Sequence, residues 1–148
     1  MKKRNQSGVT LLELLTVIVI IGVLTSVAVP SYRRYTMRAQ RSDATAALLR
    51  IAAAQEKFYL QNNTYTTTIG AGGLNLGSTT NSERGWYSLT IAAPAGLTIG
   101  TGYLATATAI AGQAQATDTE CQSFTVRETG ERGAATSGGA SNTPTCWR

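Results

Sequence analysis

Hydrophobic and polar residues are not mixed evenly along this chain. Residues 9–29 form a nearly unbroken apolar run of 21 residues, with a single acid, Glu13, at its fifth position. At 1.5 Å per residue a helix of that length spans about 31 Å, close to the thickness of a hydrocarbon core. A soluble core helix this apolar on every face would be unusual, so the run predicts a membrane-spanning helix. Pro30 closes it. Proline removes a backbone donor and clashes with the preceding turn, so a kink is expected over residues 25–30. Residues 31–61 resume a helical pattern, rich in Ala, Leu, Arg and Gln and free of Gly and Pro. Tyr32, Tyr35, Ala39, Ala46, Leu49, Ala53 and Leu60 trace one stripe, and Leu48, Ile51, Ala52 and Phe58 an adjacent one. Apolar cover this broad suggests a helix that contacts its own domain and something else; a deeply buried core helix is the plainer alternative.

From Asn62 the helical period disappears. Residues 62–84 read as a long connecting loop, broken by Gly70-Ala71-Gly72-Gly73. Three strands are predicted, over residues 86–92, 102–110 and 122–127, and residues 133–145 read as irregular loop. Pro94-Ala95-Gly96 separates the first two strands and Thr129-Gly130 closes the third. Short consecutive strands joined by turns favour an antiparallel meander. The expected fold class is α+β. One long N-terminal helix over residues 9–61 packs its second half on a small antiparallel sheet.

Composition narrows the chemistry. At 148 residues and 15.6 kDa there is room for one domain and one membrane segment. The net charge of +5 falls to +2 when Lys2, Lys3 and Arg4 are set aside, leaving 10 Lys+Arg against 8 Asp+Glu. Arg33, Arg34, Arg38 and Arg41 follow the apolar run. They read as a membrane-flanking basic collar or, alternatively, as a nucleic-acid patch. Four arginines at one helical end, outside any basic groove with interleaved aromatics, do not make a DNA-binding module. There are two cysteines and no histidine, too few ligands for a tetrahedral zinc site. The glycines of residues 70–77 are followed by no helix pattern and no phosphate-binding lysine. Asp118-Thr119-Glu120 offers too few oxygens for a convincing Ca²⁺ site. No nucleophile stands with a base, so neither an enzyme nor a cofactor or metal is expected.

Three readings of the N-terminus compete. An ordinary signal peptide has a basic start, but its apolar stretch is shorter and a small-residue cleavage site follows it. A plain single-span anchor leaves Glu13 unexplained. A processing site at Ser7-Gly8-Val9-Thr10, on the cytoplasmic side of the span, uses the leader, the glycine and the acid together. Gly8-Val9-Thr10-Leu11-Leu12-Glu13-Leu14, with the apolar run and Pro30, resembles the class III signal of type IV pilins and pseudopilins. The similarity is specific over about residues 1–35. It extends into Gln55-Glu56-Lys57-Phe58-Tyr59 and Asn62-Asn63-Thr64-Tyr65, which resemble PilE-type minor pilins. The head rests on weaker marks: Trp86-Tyr87, the cysteine pair and Cys146-Trp147. The first mature residue is Val9, where these families usually place phenylalanine.

The resemblance implies a leader of residues 1–8, a membrane and filament-core half over residues 9–30, and a periplasmic head over residues 31–148. It implies cleavage between Gly8 and Val9 by a prepilin peptidase, N-methylation of Val9, and extraction from the membrane with the help of an inner-membrane assembly platform. Glu13 is then expected to pair with the ammonium of Val9, on a neighbouring subunit or within its own helix at i, i+4 spacing. An acid at a helix centre in hydrocarbon costs about 2.5–3.5 kcal/mol, less near an end. An interfacial acid reaching toward water is the simpler reading. Three basic residues before the span and four after it leave the positive-inside rule undecided. The processing motif and the cysteines orient the C-terminal part outward. In an exported chain Cys121 and Cys146 read as a disulfide, and the family places a similar bridge near its C-terminus. The implied function is a structural, minor-leaning subunit of a type IV pilus serving adhesion or twitching motility. It would sit as a single-pass protein in the bacterial inner membrane before assembly and in an extracellular pilus afterwards. Its partners are other pilin subunits, with nucleic acid absent or indirect. A pseudopilin of a type II secretion system and a secreted binding module remain as alternatives.

Overall fold

The computed structural model describes residues 9–77 and 80–148. Gly8 and the leader lie outside the described residues. A helix, α1, runs from Leu11 to Asn62, followed by β1 (Tyr87–Ala92), β2 (Leu104–Ala109), a 3-10 helix (Ala114–Thr117), β3 (Ser123–Arg127), β4 (Arg132–Ala135) and a one-turn helix, α2 (Thr143–Cys146). The chain divides into two compact units, Met1–Thr36 and Met37–Arg148.

Helix α1 is long because nothing in its sequence stops it. It continues through Pro30, whose missing N–H leaves the carbonyl of Ser26 without its helical partner. Hydroxyls on both sides return to the backbone, Thr25 to Ile21 O at 2.8 Å and Ser31 to Val27 O at 3.0 Å. The helix stops at Asn63, which takes a left-handed conformation (φ 53°) while its N–H donates to Tyr59 O. The second half buries Arg41, Ala44, Leu48, Ile51 and Gln55, a spacing of three and four that defines one face. Of the two stripes read in the sequence, Leu48 and Ile51 belong to this buried face. Tyr32, Tyr35, Leu49 and Leu60 stand exposed.

The sheet has the order β1-β2-β3-β4, every pair antiparallel. Alternation sorts its side chains: Tyr87, Leu89 and Ile91 of β1, Ala105, Ala107 and Ala109 of β2, Phe124 and Val126 of β3 and Ala134 of β4 are all buried. The three alanines of β2 lie between larger residues of β1 and β3, with Leu89 paired to Ala107 and Ala107 to Phe124. Ala44, Leu48 and Ile51 of α1 join them in one core, completed by Ile69, Leu74 and Tyr103.

The expected helix and meander are present, with two departures. The sheet has four strands rather than three. Residues 133–145 are not simply loop, because Arg132–Ala135 pairs with β3 and Thr143–Cys146 is helical. Gly130 (φ 78°) makes the turn into β4, and its N–H donates to Arg127 O at 3.0 Å. Gly133 lies opposite Thr125, whose Oγ1 occupies the place a Cβ would need.

Leu48→Ala removes a side chain with no exposure and is expected to cost about 2–5 kcal/mol of stability. Leu60→Ala, at a position 83% exposed, should stay within about 0.5 kcal/mol of the parent. Urea unfolding followed by circular dichroism measures both, and equal losses would contradict the assignment of faces.

Candidate functional site

The functional geometry of the first unit begins at Thr10. Its Oγ1 accepts the N–H of Glu13 at 3.2 Å and its carbonyl accepts the N–H of Leu14 at 3.1 Å. Thr10 is therefore the N-cap of α1, and Thr10-Leu11-Leu12-Glu13 has the T-x-x-E spacing of a capping box. The sequence carried that signal, and the reading of Glu13 as a pairing acid passed over it. Only half of the box is formed: the carboxylate of Glu13 makes no hydrogen bond or ion pair among the described residues and is exposed. A hydroxyl thus satisfies the first turn and leaves the acid free for another group.

Beyond Glu13, every large apolar side chain from Leu11 to Val29 is between 48% and 82% exposed. An 18-residue window of the helix has a mean hydropathy of 2.5 and no buried residue. The few hydroxyls in this segment do not interrupt the apolar surface. Thr16 donates to Glu13 O at 2.8 Å and Ser26 to Val23 O at 2.7 Å. Such a surface is stable only in lipid or against other apolar helices.

In the second unit the organising group is Arg41. Its Nε and Nη2 donate to the two oxygens of Asp118 at 2.7 and 2.8 Å, and Nη2 also donates to Glu120 at 3.1 Å. Burial works against this charge, but the hydrogen bonds and charges of Asp118 and Glu120 outweigh it. The guanidinium is held above its ordinary pKa. Asp118 also accepts from the Gln115 amide and from the N–H groups of Glu120 and Cys121. Arg41 is therefore not part of a membrane collar. The two acids weighed as calcium ligands instead neutralise an arginine. Asp43, two residues along from Arg41, accepts from Ser82 Oγ at 2.6 Å, and that oxygen accepts the N–H of Tyr87 at 3.0 Å. Gln55 clamps Thr66 through both ends of its amide, at 2.6 and 3.1 Å. Three polar side chains of α1 thereby fix the 3-10 helix, the entry to β1 and the loop after the helix.

Cys121 and Cys146 are joined, with sulfurs 2.04 Å apart. The bond seats α2 beside β4, where Trp147 donates to Gly133 O at 2.7 Å and packs edge-on against Phe124. Arg132 lies 5.1 Å over the Trp147 ring. Among the described residues no three His, Cys, Asp or Glu converge as metal ligands.

An exposed apolar helix with a lone acid at its start, and a small α+β head closed by a cystine, defines the class as a type IV pilin. The pattern for the prokaryotic N-terminal methylation motif matches residues 3–29, and that for "Type IV minor pilin ComP, DNA uptake sequence receptor" matches residues 30–125. The chain belongs to this ComP family of type IV minor pilins. It is similar to the type II secretion system core protein G of Aeromonas hydrophila, 41% identical over 68 residues, covering 46% of this chain and 48% of that protein. It is also similar to the type IV major pilin protein PilE1 of Neisseria gonorrhoeae, 40% identical over 67 residues, covering 45% of this chain and 31% of the relative. The chain thus matches about half the length of the first relative and a third of the second. A solved type IV pilin from Shewanella oneidensis is 24% identical with a TM-score of 0.47, over 65% of this chain and 89% of that one.

Arg41→Met leaves Asp118 buried without its partner and is expected to lower stability by about 3–5 kcal/mol. Adding Asp118→Leu should restore part of that loss. A double variant as unstable as the sum of the two single variants, in urea unfolding, would show that the pair is not coupled.

Proposed function

We propose that this chain is cut between Gly8 and Val9, methylated at the new amine, held in the inner membrane by its apolar helix, and then drawn into a type IV pilus. Residues 1–8 serve as the leader, 9–30 as the membrane and filament-core segment, and 31–148 as a head on the periplasmic side. A prepilin peptidase and an inner-membrane assembly platform are the partners in those steps. The filament takes part in adhesion or twitching motility. One observation carries the reading: a 21-residue apolar surface that is uncovered among the described residues, interrupted by a single acid that is unpartnered among them.

The acid supplies what the apolar surface lacks. Burial of apolar area is non-directional and would let helices aggregate in any register. A carboxylate enclosed among such helices is tolerated only beside a positive partner, and the ammonium of Val9 on a neighbouring subunit is the nearest candidate by sequence. Thr10 strengthens the case, because it caps the helix without using the carboxylate. Head-to-tail growth of this kind is heterologous and gives an open filament.

The likeness to a type II secretion core protein supports a second reading, a pseudopilin. Loss of twitching with secretion intact in a deletion strain supports the pilus, and the reverse supports the secretion system. The family's description also names a DNA uptake sequence receptor, which runs against the expectation that nucleic acid is absent or indirect. Among the described residues the head offers a surface of fitting chemistry. A groove of about 440 Å³ is lined by Arg38, Ser42, Thr45, Thr145 and Arg148, and neither Arg38 nor Arg148 has a carboxylate partner among the described residues.

Intact mass of the mature protein should show the loss of eight residues, whereas trimming near residue 30 would indicate an ordinary secreted module. Glu13→Ala should leave that cleavage unchanged while reducing the protein in sheared filaments on the order of tenfold. Wild-type filament yield would remove the pairing. If the groove holds DNA, Arg38→Gln with Arg148→Gln should reduce the salt slope of duplex binding by about 1 per arginine; an unchanged slope excludes that surface.

A further inference from the structure

The turn that follows the apolar run is occupied by Tyr32, Arg33, Arg34 and Tyr35. All four are exposed, the tyrosines at 69% and 72%. At 100° per residue these four side chains encircle the helix, two aromatic on one side and two cationic on the other. None of the four side chains has a hydrogen bond or ion pair among the described residues, while the neighbouring hydroxyls of Ser31 and Thr36 turn back onto the helix at 3.0 and 2.9 Å. No Asp or Glu occurs between Glu13 and Asp43, so the two cations are unopposed along the chain.

We propose that this turn is a binding belt for anionic phospholipid headgroups, the contact that holds the subunit at a fixed depth before assembly. The belt rests on the membrane-anchored reading given above and adds its lipid class. Depth favours lipid over a protein partner. Residues 32–35 begin about 4.5 Å and end about 9 Å beyond Val29 at 1.5 Å per residue, and the headgroup layer extends roughly 5–8 Å outward from the hydrocarbon, within reach of these long side chains. Tyrosine suits that layer because its ring is apolar and its hydroxyl is wet; arginine suits it because its planar fork matches phosphate. The direction of export supplies a second reason. Basic residues after a span resist translocation under the positive-inside rule, and anionic headgroups bound on the far side would offset that resistance. Arg41 is excluded from the belt because Asp118 already answers its charge.

The test uses the full chain in nanodiscs of equal phosphatidylglycerol and phosphatidylcholine, with retained lipid read by native mass spectrometry. The parent is expected to retain phosphatidylglycerol preferentially, and Arg33→Gln with Arg34→Gln to lower that preference on the order of fivefold per arginine. Lys57→Gln with Arg84→Gln removes the same charge from exposed head positions and should leave the ratio unchanged. Lys2, Lys3 and Arg4 are common to all three proteins, so differences report the belt. The proposal is overturned if the belt variant keeps the parent ratio, if the head variant loses it equally, or if the parent shows no preference. Failure of the chain to enter nanodiscs at all would instead remove the membrane reading beneath it.

Discussion

The first unit of this molecule is governed by one constraint: apolar surface that none of the described residues covers. From Leu11 to Val29 no side chain is buried. Water is therefore the one surrounding in which the segment has no stable place. Lipid and a bundle of like helices are both acceptable, and they differ in what they do with Glu13. Near the end of a lipid span the carboxylate can reach the interface, whereas inside a bundle it needs a positive charge. The same helix thus suits two environments, with one acid to tell them apart.

The head answers to a different constraint. A domain of about a hundred residues has a modest core, and small residues make up much of this one, with three alanines of β2 and Ala44 of α1 buried in it. Apolar packing alone would fix such an arrangement loosely. Arg41, Asp43 and Gln55, all inward on α1, add directional contacts to the segments on either side of the sheet. Burying Arg41 is tolerable because both oxygens of Asp118 and one of Glu120 meet it.

How much could be read from the chain follows from the range of each interaction. The apolar run and the helix after it are local patterns, and both were legible. The first three strands were legible from alternation and turn residues, since Tyr87, Leu89 and Ile91 repeat every second position. β4 was not, because Arg132-Gly133-Ala134-Ala135 carries no β-branched or aromatic residue and owes its form to pairing with β3. Arg41 was misread for a related reason: its partner is 77 residues away, and beside Arg33, Arg34 and Arg38 it looks like one more surface cation. Asp118 and Glu120 were noticed together, but only the fold reveals which positive charge they serve. Thr10 needs no such partner at a distance, since its three-residue spacing to Glu13 is itself a helix-start signal.

Arg41 is the most N-terminal side chain of α1 to be buried, and Asp118 stands three residues before the cystine at Cys121. A tensile load carried along α1 would meet the weak contacts of Met37 with Gln115 and Thr117 and then a forked contact of two parallel hydrogen bonds. Behind that contact the chain is looped back over 25 positions to Cys146, so it cannot be drawn out as a thread while the sulfurs stay joined. The fork and the cystine thus lie close together, near the end of the head where such a pull would arrive.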